Sequence, residues 1–475
     1  VTHGQTTVEV SGITHDSRRV TDGDIFAALP GLNVHGSMFI DSAVDSGAVA
    51  VLSDLPPPTG VALPWVQADH PRATMATMAW ALAADPQLGL RLVAITGTNG
   101  KSTTAALIGQ ILDSGGIPTA VVGTLGAEIC GRRIAGGERT TPESTDLAPI
   151  LRAAADAGAD AVAMEVSSHA LVQDRVSGLE FDVAVWTNLS RDHLDYHHDM
   201  ESYFAAKRRL FDEHLADTGR RVLPVDDPWG CRLLDDRRVG DVSWGLDRGD
   251  VSARDVKSDL EGSLFDLQVP DGVIRARLPL VGIHNLRNAL AAAAAAHACG
   301  VGPAAVADGL AAARPLAGRL EPVDTGLGFP VFVDYAHTPE GLSAVLQSLI
   351  RITDRRLIVV FGAGGDRDRG KRGPMGFAVG QLADVAVVTS DNPRTEDPAA
   401  IAEAVADGVR AAGKEPVLEL DRQAAIARAL ELADHRSLVL VAGKGHERTQ
   451  TIGDRQIPFV DQQVIRDQAG RVPCS

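Results

Sequence analysis

Short apolar runs alternate with segments of helical periodicity along most of the chain, and the runs end in glycine or polar turns. The clearest unit is Arg91 to Gly116, RLVAITGTNGKSTTAALIGQILDSGG. RLVAI is apolar enough for a buried strand, and Leu107, Ile108, Ile111 and Leu112 fall at helical spacing before Gly115 and Gly116 stop the helix. Downstream, DAVAMEV and FDVAVWTNL predict parallel strands followed by helices. A more polar, β-rich stretch from Val239 to Val281 interrupts this series ahead of the alanine-rich NALAAAAAAHACG. VFVDYA, RLIVVFGAGG, DVAVVTS and SLVLVAGKG then predict four more strands, each meeting a turn at its C-terminal end, where open α/β sheets bind ligands. Upstream of it all, TTVEV, DIFAAL and AVAVL predict short strands, followed by a helix in PRATMATMAWALAADP that Pro86 closes.

The pattern predicts an α/β fold class in three domains: an N-terminal α/β unit over 1–87, a central P-loop-type parallel-sheet unit over 88–320, and a C-terminal Rossmann-like α/β unit over 321–475. A length of 475 residues agrees with that division. Apolar residues make up 45% and aromatics only 4%, so the cores are built from Ala, Val, Leu and Ile. With 45 basic and 62 acidic residues the formal charge is −17, which argues against nonspecific nucleic-acid binding but not against anions held in clefts. Cys130, Cys231, Cys299 and Cys474 are scattered without zinc-ligand spacing, as expected of a reduced cytoplasmic protein. The alanine-rich segment is too short and too weakly hydrophobic to span a bilayer, and VTHGQTTVEVSG lacks the pattern of a secretory signal.

Candidate chemistry begins at the turn between RLVAI and the following helix. Gly97 and Gly100 let backbone N–H groups close around phosphate oxygens, with Thr98 and Asn99 in the same nucleotide-binding loop; Lys101 can reach the terminal phosphates, and Ser102 or Thr103 can offer a hydroxyl to Mg²⁺. The loop is compact, since Ile95 stands where a standard phosphate loop has its first glycine. A tight turn that merely contains Gly and Lys is the competing reading, and the flanking strand and helix count against it. After DAVAMEV, Glu165 lies at a strand end with Ser167, His169, Gln173 and Arg175 on the next turn. A carboxylate there can hold Mg²⁺ beside a phosphate loop, although a solvated loop would look the same. TNLSRDHLDYH adds His193, and Lys207 follows in ESYFAAKRRLF. A hydrolase triad is disfavoured because there is no GxSxG turn.

GTNGKST, MEVSSHAL, TNLSRDHLDYH, the Lys207 segment, GIHNLRNALAA, GRLE and VDYAHTPEGL, in this order, resemble the Mur ligases, which form amide bonds with ATP. ITHDSRRVTDGDIFAALPGLNVHG resembles the uridine-nucleotide domain of that family. The resemblance implies that His15, Ser17 and Leu32, Asn33 and Val34 contact the uridine part of the substrate, and that Thr140, Thr141, Ser167, Gln173 and Arg175 line the muramoyl-dipeptide. It implies that Lys207 is carbamylated, with Glu165, His193 and Ser102 as fellow neighbours of Mg²⁺. Asn285, Arg319, Asp334 and His337 would contact ATP, the last three near a hinge at Arg319 to Glu321. AGGDRDRGKR, SDNPRTEDP and AGKGHE place Arg367, Asp391, Asn392, Pro393, Arg394, Gly443 and Glu447 in an amino-acid pocket. Three departures from the family pattern are Ser102, where threonine is common, His15, where an apolar residue is common, and Arg139, at a variable position.

The implied reaction joins meso-diaminopimelate to UDP-N-acetylmuramoyl-L-alanyl-D-glutamate through an acyl phosphate, with ATP and Mg²⁺, in peptidoglycan precursor synthesis. Meso-diaminopimelate carries a second α-amino-acid centre, so its pocket should pair a guanidinium with the distal carboxylate and a carboxylate with the distal ammonium. Arg394 and Glu447 are the expected pair, and lysine-adding relatives lack that arginine. The alternatives are a folate polyglutamate synthetase, disfavoured by the uridine-domain likeness, the lysine-adding ligase, disfavoured by DNPR, and a nucleotide switch without amide synthesis. No nucleic acid or membrane insertion is expected, and a monomer is.

Overall fold

The computed structural model describes residues 2–3, 7–31, 34–59, 63–134 and 139–471. Three large sheets appear in chain order. The N-terminal sheet runs Thr2–His3, Trp65–Gln67, Ala50–Ser53, Asp24–Ala28, Gly12–Thr14, parallel except for the Thr2–His3 edge. DIFAAL and AVAVL thus supply strands, but TTVEV does not: residues 7–10 lie outside any strand. Val10 packs partly buried against the core of this unit, but Val8 is 40% exposed, so the alternation buries only one of its two valines and does not extend into a strand.

The central sheet has eight strands; Arg91–Thr96 lies between Ala161–Glu165 and Phe181–Trp186, these three parallel, while Gly126–Ile129 and Arg132–Ile134 add an antiparallel edge. The register sets Glu165 opposite Ile95 and Trp186 opposite Thr96, so all three strands deliver their next residues to the same edge. One face packs on the helices Lys101–Ser114 and Ile283–Ala298 and on the antiparallel sheet Ser252–Asp259, Gly262–Val269, Gly272–Leu278. Ala291 to Ala296 are fully buried; small side chains all round let that helix sit inside the layer. The other face carries Pro71–Leu82, Ser144–Asp156 and Met200–Glu213. The first of these helices belongs to the N-terminal unit, and its buried Trp80 donates to the Ser177 carbonyl at 2.8 Å.

The C-terminal sheet runs Glu321–Pro322, Val331–Asp334, Ser437–Ala442, Arg356–Phe361, Val385–Val388, Val417–Leu418, parallel except at its first strand. Helices cover both faces. The entry to this unit is tightly fixed: the Leu320 N–H donates to Asp334 Oδ2 at 2.6 Å, and a Cβ placed on Gly318 would lie 2.1 Å from the Gly445 carbonyl carbon. Among the described residues no helix is long and apolar enough to cross a membrane. Cys130, Cys231 and Cys299 are unpaired, and Cys474 lies outside the described residues.

Candidate active site

The loop after Arg91–Thr96 is built for close backbone approach. Gly97 and Gly100 have φ of 146° and 86°, and a Cβ on either would collide with Thr187 Oγ1 or Asn188 on one side and Asn288 Oδ1 on the other. The neighbouring strand end holds the loop in place. Asn188 accepts from the Thr98 N–H at 2.8 Å through its carbonyl and from the Asn99 N–H at 3.1 Å through Oδ1, while Thr187 Oγ1 donates to the Asn99 carbonyl at 2.7 Å. Ser102 and Thr103 are buried in the first helical turn. Asn285, donating to the Val281 carbonyl at 2.9 Å, and Asn288 sit at the start of the alanine-rich helix facing Gly100.

Lys101 and Lys207 both donate to the Gly97 carbonyl, at 3.0 and 2.9 Å, and Lys101 also reaches the Thr98 carbonyl at 2.9 Å. Lys207 is 1% exposed and lies 4.8 Å from the centroid of the Tyr203 ring. Burial, and then the charge of Lys101, pull the Lys207 amine well below the ordinary lysine range. Glu165 stands on the other side of the loop. Its Oε1 accepts from the Thr124 N–H at 2.8 Å and its Oε2 from the Thr124 hydroxyl at 3.2 Å, and that hydroxyl lies 3.0 Å from Thr140 Oγ1.

His193 has φ of 53°, a left-handed conformation that is strained for histidine. Its ring lies edge-on to His169, with centroids 4.9 Å apart, and burial lowers its pKa. Burial likewise pushes His169 and His197 down to about 4, so this cluster is neutral imidazole near neutrality. Asp192 is held below the usual carboxylate range: burial opposes its charge, but His193 and His337 outweigh it. His337 belongs to the C-terminal unit, so the two units face each other here. There, Arg319 lies 4.7 Å over the Tyr335 ring, and burial raises the pKa of Asp334 and lowers that of His337.

Among the described residues no three His, Cys, Asp or Glu side chains form a metal-binding group. A Mg²⁺ beside Glu165 and His193 would need further oxygen donors, which Ser102 and a carbamylated Lys207 can supply but an unmodified ammonium cannot. The donor set fits the cation best with Lys207 converted, since an ammonium there would repel it, while water and phosphate oxygens can complete the shell.

Thr141 closes a second corner. Its hydroxyl donates to the Glu165 carbonyl at 2.9 Å and accepts from the Ser167 N–H at 3.0 Å; its carbonyl accepts from Arg175 at 3.0 Å, and Arg175 also donates to Gln173 at 2.6 Å. Sequence reasoning missed the centre of this corner, Glu143. This buried carboxylate meets Arg72 of the N-terminal unit at 2.5 Å, Arg139, and Arg175 at 3.1 Å. Three guanidiniums on one carboxylate leave the corner net positive, a field that favours an anionic group. TTPE reads as a loop, and no local pattern marks Glu143. Of the residues expected at the uridine part, His15 and Ser17 lie beside this corner: burial lowers the His15 pKa and Glu143 opposes, and Asp16 caps the turn that begins at Ser17. Val34 is 51% exposed, and Leu32 and Asn33 lie outside the described residues.

The third group gathers at strand ends of the C-terminal sheet. Asn392 donates to Glu447 Oε2 at 2.8 Å, and Gly443 packs against Asp391. Arg394 has φ of 51°, with its guanidinium on the Gly365 carbonyl at 2.7 Å. Pro393 lies between these two, and Arg367 is exposed on the adjoining loop. Lys444, which sequence reasoning also passed over, is fully buried against Asn392 and Glu447.

Three family models match in order: "Mur ligase family, catalytic domain" over residues 9–83, "Mur ligase middle domain" over 95–296, and "Mur ligase, glutamate ligase domain" over 318–445. A UDP-N-acetylmuramoyl-L-alanyl-D-glutamate–2,6-diaminopimelate ligase of Streptomyces avermitilis is 45% identical, covering 97% of this chain and 92% of its own. A protein of the same name from Solibacter usitatus is 43% identical, over 97% and 93%. A solved structure of a ligase of that name superposes with a TM-score of 0.67 at 34% identity, covering 97% of this chain and 95% of its own. With the nucleotide loop, the paired lysines and the three sheets in this order, the chain belongs to the Mur ligase family.

Proposed function

We propose that this chain is the ATP-dependent ligase that joins meso-diaminopimelate to UDP-N-acetylmuramoyl-L-alanyl-D-glutamate, acting as a cytoplasmic monomer in peptidoglycan precursor synthesis. The observation that carries the reading is the convergence of Lys101 and Lys207 on one phosphate-loop carbonyl, beside Glu165 and facing the C-terminal unit. Residues 1–87 would hold the uridine nucleotide through His15, Ser17, Leu32, Asn33 and Val34, residues 88–320 the ATP, and residues 321–475 the amino acid. Thr140, Thr141, Ser167, Gln173 and Arg175 would direct the dipeptide carboxylate toward the phosphate loop.

In the first step a carboxylate oxygen of the dipeptide attacks the γ-phosphorus, and the bond to ADP breaks. Lys101 and the N–H groups at the start of the following helix would stabilise the charge that shifts to the β-phosphate oxygens, since the Thr98 and Asn99 N–H groups are taken up by Asn188. Mg²⁺, when bound by Ser102, Glu165, His193 and carbamylated Lys207, would supply further neutralisation of the phosphate oxygens. In the second step the acceptor amine attacks the acyl carbon, the bond to phosphate breaks, and the proton lost by the amine passes to the departing phosphate or to water. Asn285, Arg319, Asp334 and His337 would hold the nucleotide across the hinge, so that closure brings the amine to the acyl phosphate. Arg394 would pair with the distal carboxylate of diaminopimelate and Glu447 with its distal ammonium, with Arg367, Asp391, Asn392, Pro393 and Gly443 shaping the pocket.

Phosphate release by the purified chain tests this. It should require both the nucleotide dipeptide and meso-diaminopimelate, with lysine a poor substitute. Arg394→Ala should reduce kcat/KM for diaminopimelate by about a hundredfold, as expected when a charged substrate group loses its partner. ATP turnover without either substrate, or equal use of lysine, would refute the assignment.

A further inference from the structure

The two ends of the amino-acid pocket are joined through a residue with no role in the scheme above. Lys444 is fully buried, and its ammonium makes three hydrogen bonds: to Glu447 Oε2 at 2.8 Å, to Asn392 Oδ1 at 3.1 Å and to the Thr449 carbonyl at 2.7 Å. An ammonium has three donors, so Lys444 has none left for a ligand. Its partners come from three segments: the loop after Val385–Val388, the loop after Ser437–Ala442, and the hairpin Thr449–Ile452, Arg455–Pro458.

The same hairpin holds Arg394. The Thr451 N–H donates to Asn392 Oδ1 at 2.9 Å, the Arg394 N–H to the Thr451 carbonyl at 3.1 Å, and the Gly453 N–H to the Arg394 carbonyl at 2.7 Å. Arg394 is thereby kept in its left-handed conformation. At the other end, Lys444 and Asn392 both bond Oε2 of Glu447, and among the described residues Oε1 accepts no hydrogen bond.

We propose that Lys444 is a positioning residue for the acceptor amino acid: it fixes Glu447 with one oxygen free and sets its spacing from Arg394, so that the pocket measures the separation of an ammonium and a carboxylate on one substrate. This rests on the reading of the pocket as a diamino-acid site.

The full-length variant Lys444→Met tests it by phosphate release, varying each substrate in turn. The KM for meso-diaminopimelate should rise about tenfold or more, while the KM values for ATP and the nucleotide dipeptide stay within about twofold. Because Lys444 acts through Glu447, Lys444→Met should add little to Glu447→Gln in the double variant. An unchanged KM for diaminopimelate, an equal rise in all three KM values, or multiplying effects in the double variant would overturn the proposal. If circular dichroism shows Lys444→Met unfolded, Lys444→Gln replaces it, with the same selective rise expected and an unchanged KM again overturning it. Failure of the underlying reading looks different: wild type would use another amine, and the selective effect of Lys444→Met would then be sought in the KM for that amine.

Discussion

The most exacting prediction concerns the two lysines on the Gly97 carbonyl, and the perturbation is Lys101→Met. Both amine nitrogens lie within hydrogen-bond distance of one oxygen, so they are no more than about 6 Å apart, the sum of the two distances. At an effective dielectric constant of about 20, two ammoniums at that separation repel by about 3 kcal/mol. Carbamylation of Lys207 reverses the sign of its charge and turns the repulsion into an attraction of the same order. Removing Lys101 therefore relieves the strain of the unmodified state and withdraws support from the modified one. The two effects act in the same direction, and the carbamylation equilibrium should fall by about a hundredfold or more. The assay is ¹³C NMR of protein equilibrated with ¹³C-bicarbonate, with Lys207→Met as the blank. Wild type should show a carbamate carbon that Lys101→Met lacks. Equal labelling of wild type and Lys101→Met, or no labelling of wild type, would refute the reasoning.

Gly97→Ala should abolish nucleotide binding in calorimetry while leaving a folded chain, because the added Cβ would lie 1.9 Å from Thr187 Oγ1 and displace the loop; wild-type affinity would contradict this. Glu143→Gln should raise the KM for the nucleotide dipeptide about tenfold with ATP unaffected, and lower stability by about 3 kcal/mol because the buried Arg175 and half-buried Arg72 lose their partner, as read by denaturant unfolding. His284, on Ser348 of the C-terminal unit at 3.1 Å, is pushed down to about 4 by burial. Its unfolded form binds a proton below about pH 6.5 and its folded form does not, so stability falls as pH drops from 6.5 toward 4, by up to about 3 kcal/mol. His284→Leu should flatten that part of the denaturation profile, and an unchanged slope would exclude the residue as its source.

What the sequence disclosed follows from how local each signal is. RLVAI, the glycines and the helix after them are contiguous, so the phosphate loop was legible together with the strand ends that meet it. Glu143 was not, because its three arginines come from the helix Pro71–Leu82, the adjoining loop and the turn after Glu165, and only the folded chain unites them. Lys444 was hidden for the same reason: its partners lie at Asn392 and Thr449 as well as at nearby Glu447. TTVEV misled in the opposite way: of its two valines only Val10 meets the core, and Val8 stays exposed.

The contact between Gly318 and Gly445 bears on the order of events in a catalytic cycle. Backbone meets backbone there with no room for a side chain, and Glu447 lies two residues beyond Gly445. The chain cannot bend at Gly318 without sliding along the loop that carries Glu447. Under the proposed closure, any displacement of Gly318 would carry the Glu447 loop with it, so a kinetic scheme that treats amine entry and rotation of the last domain as independent would count the same displacement twice.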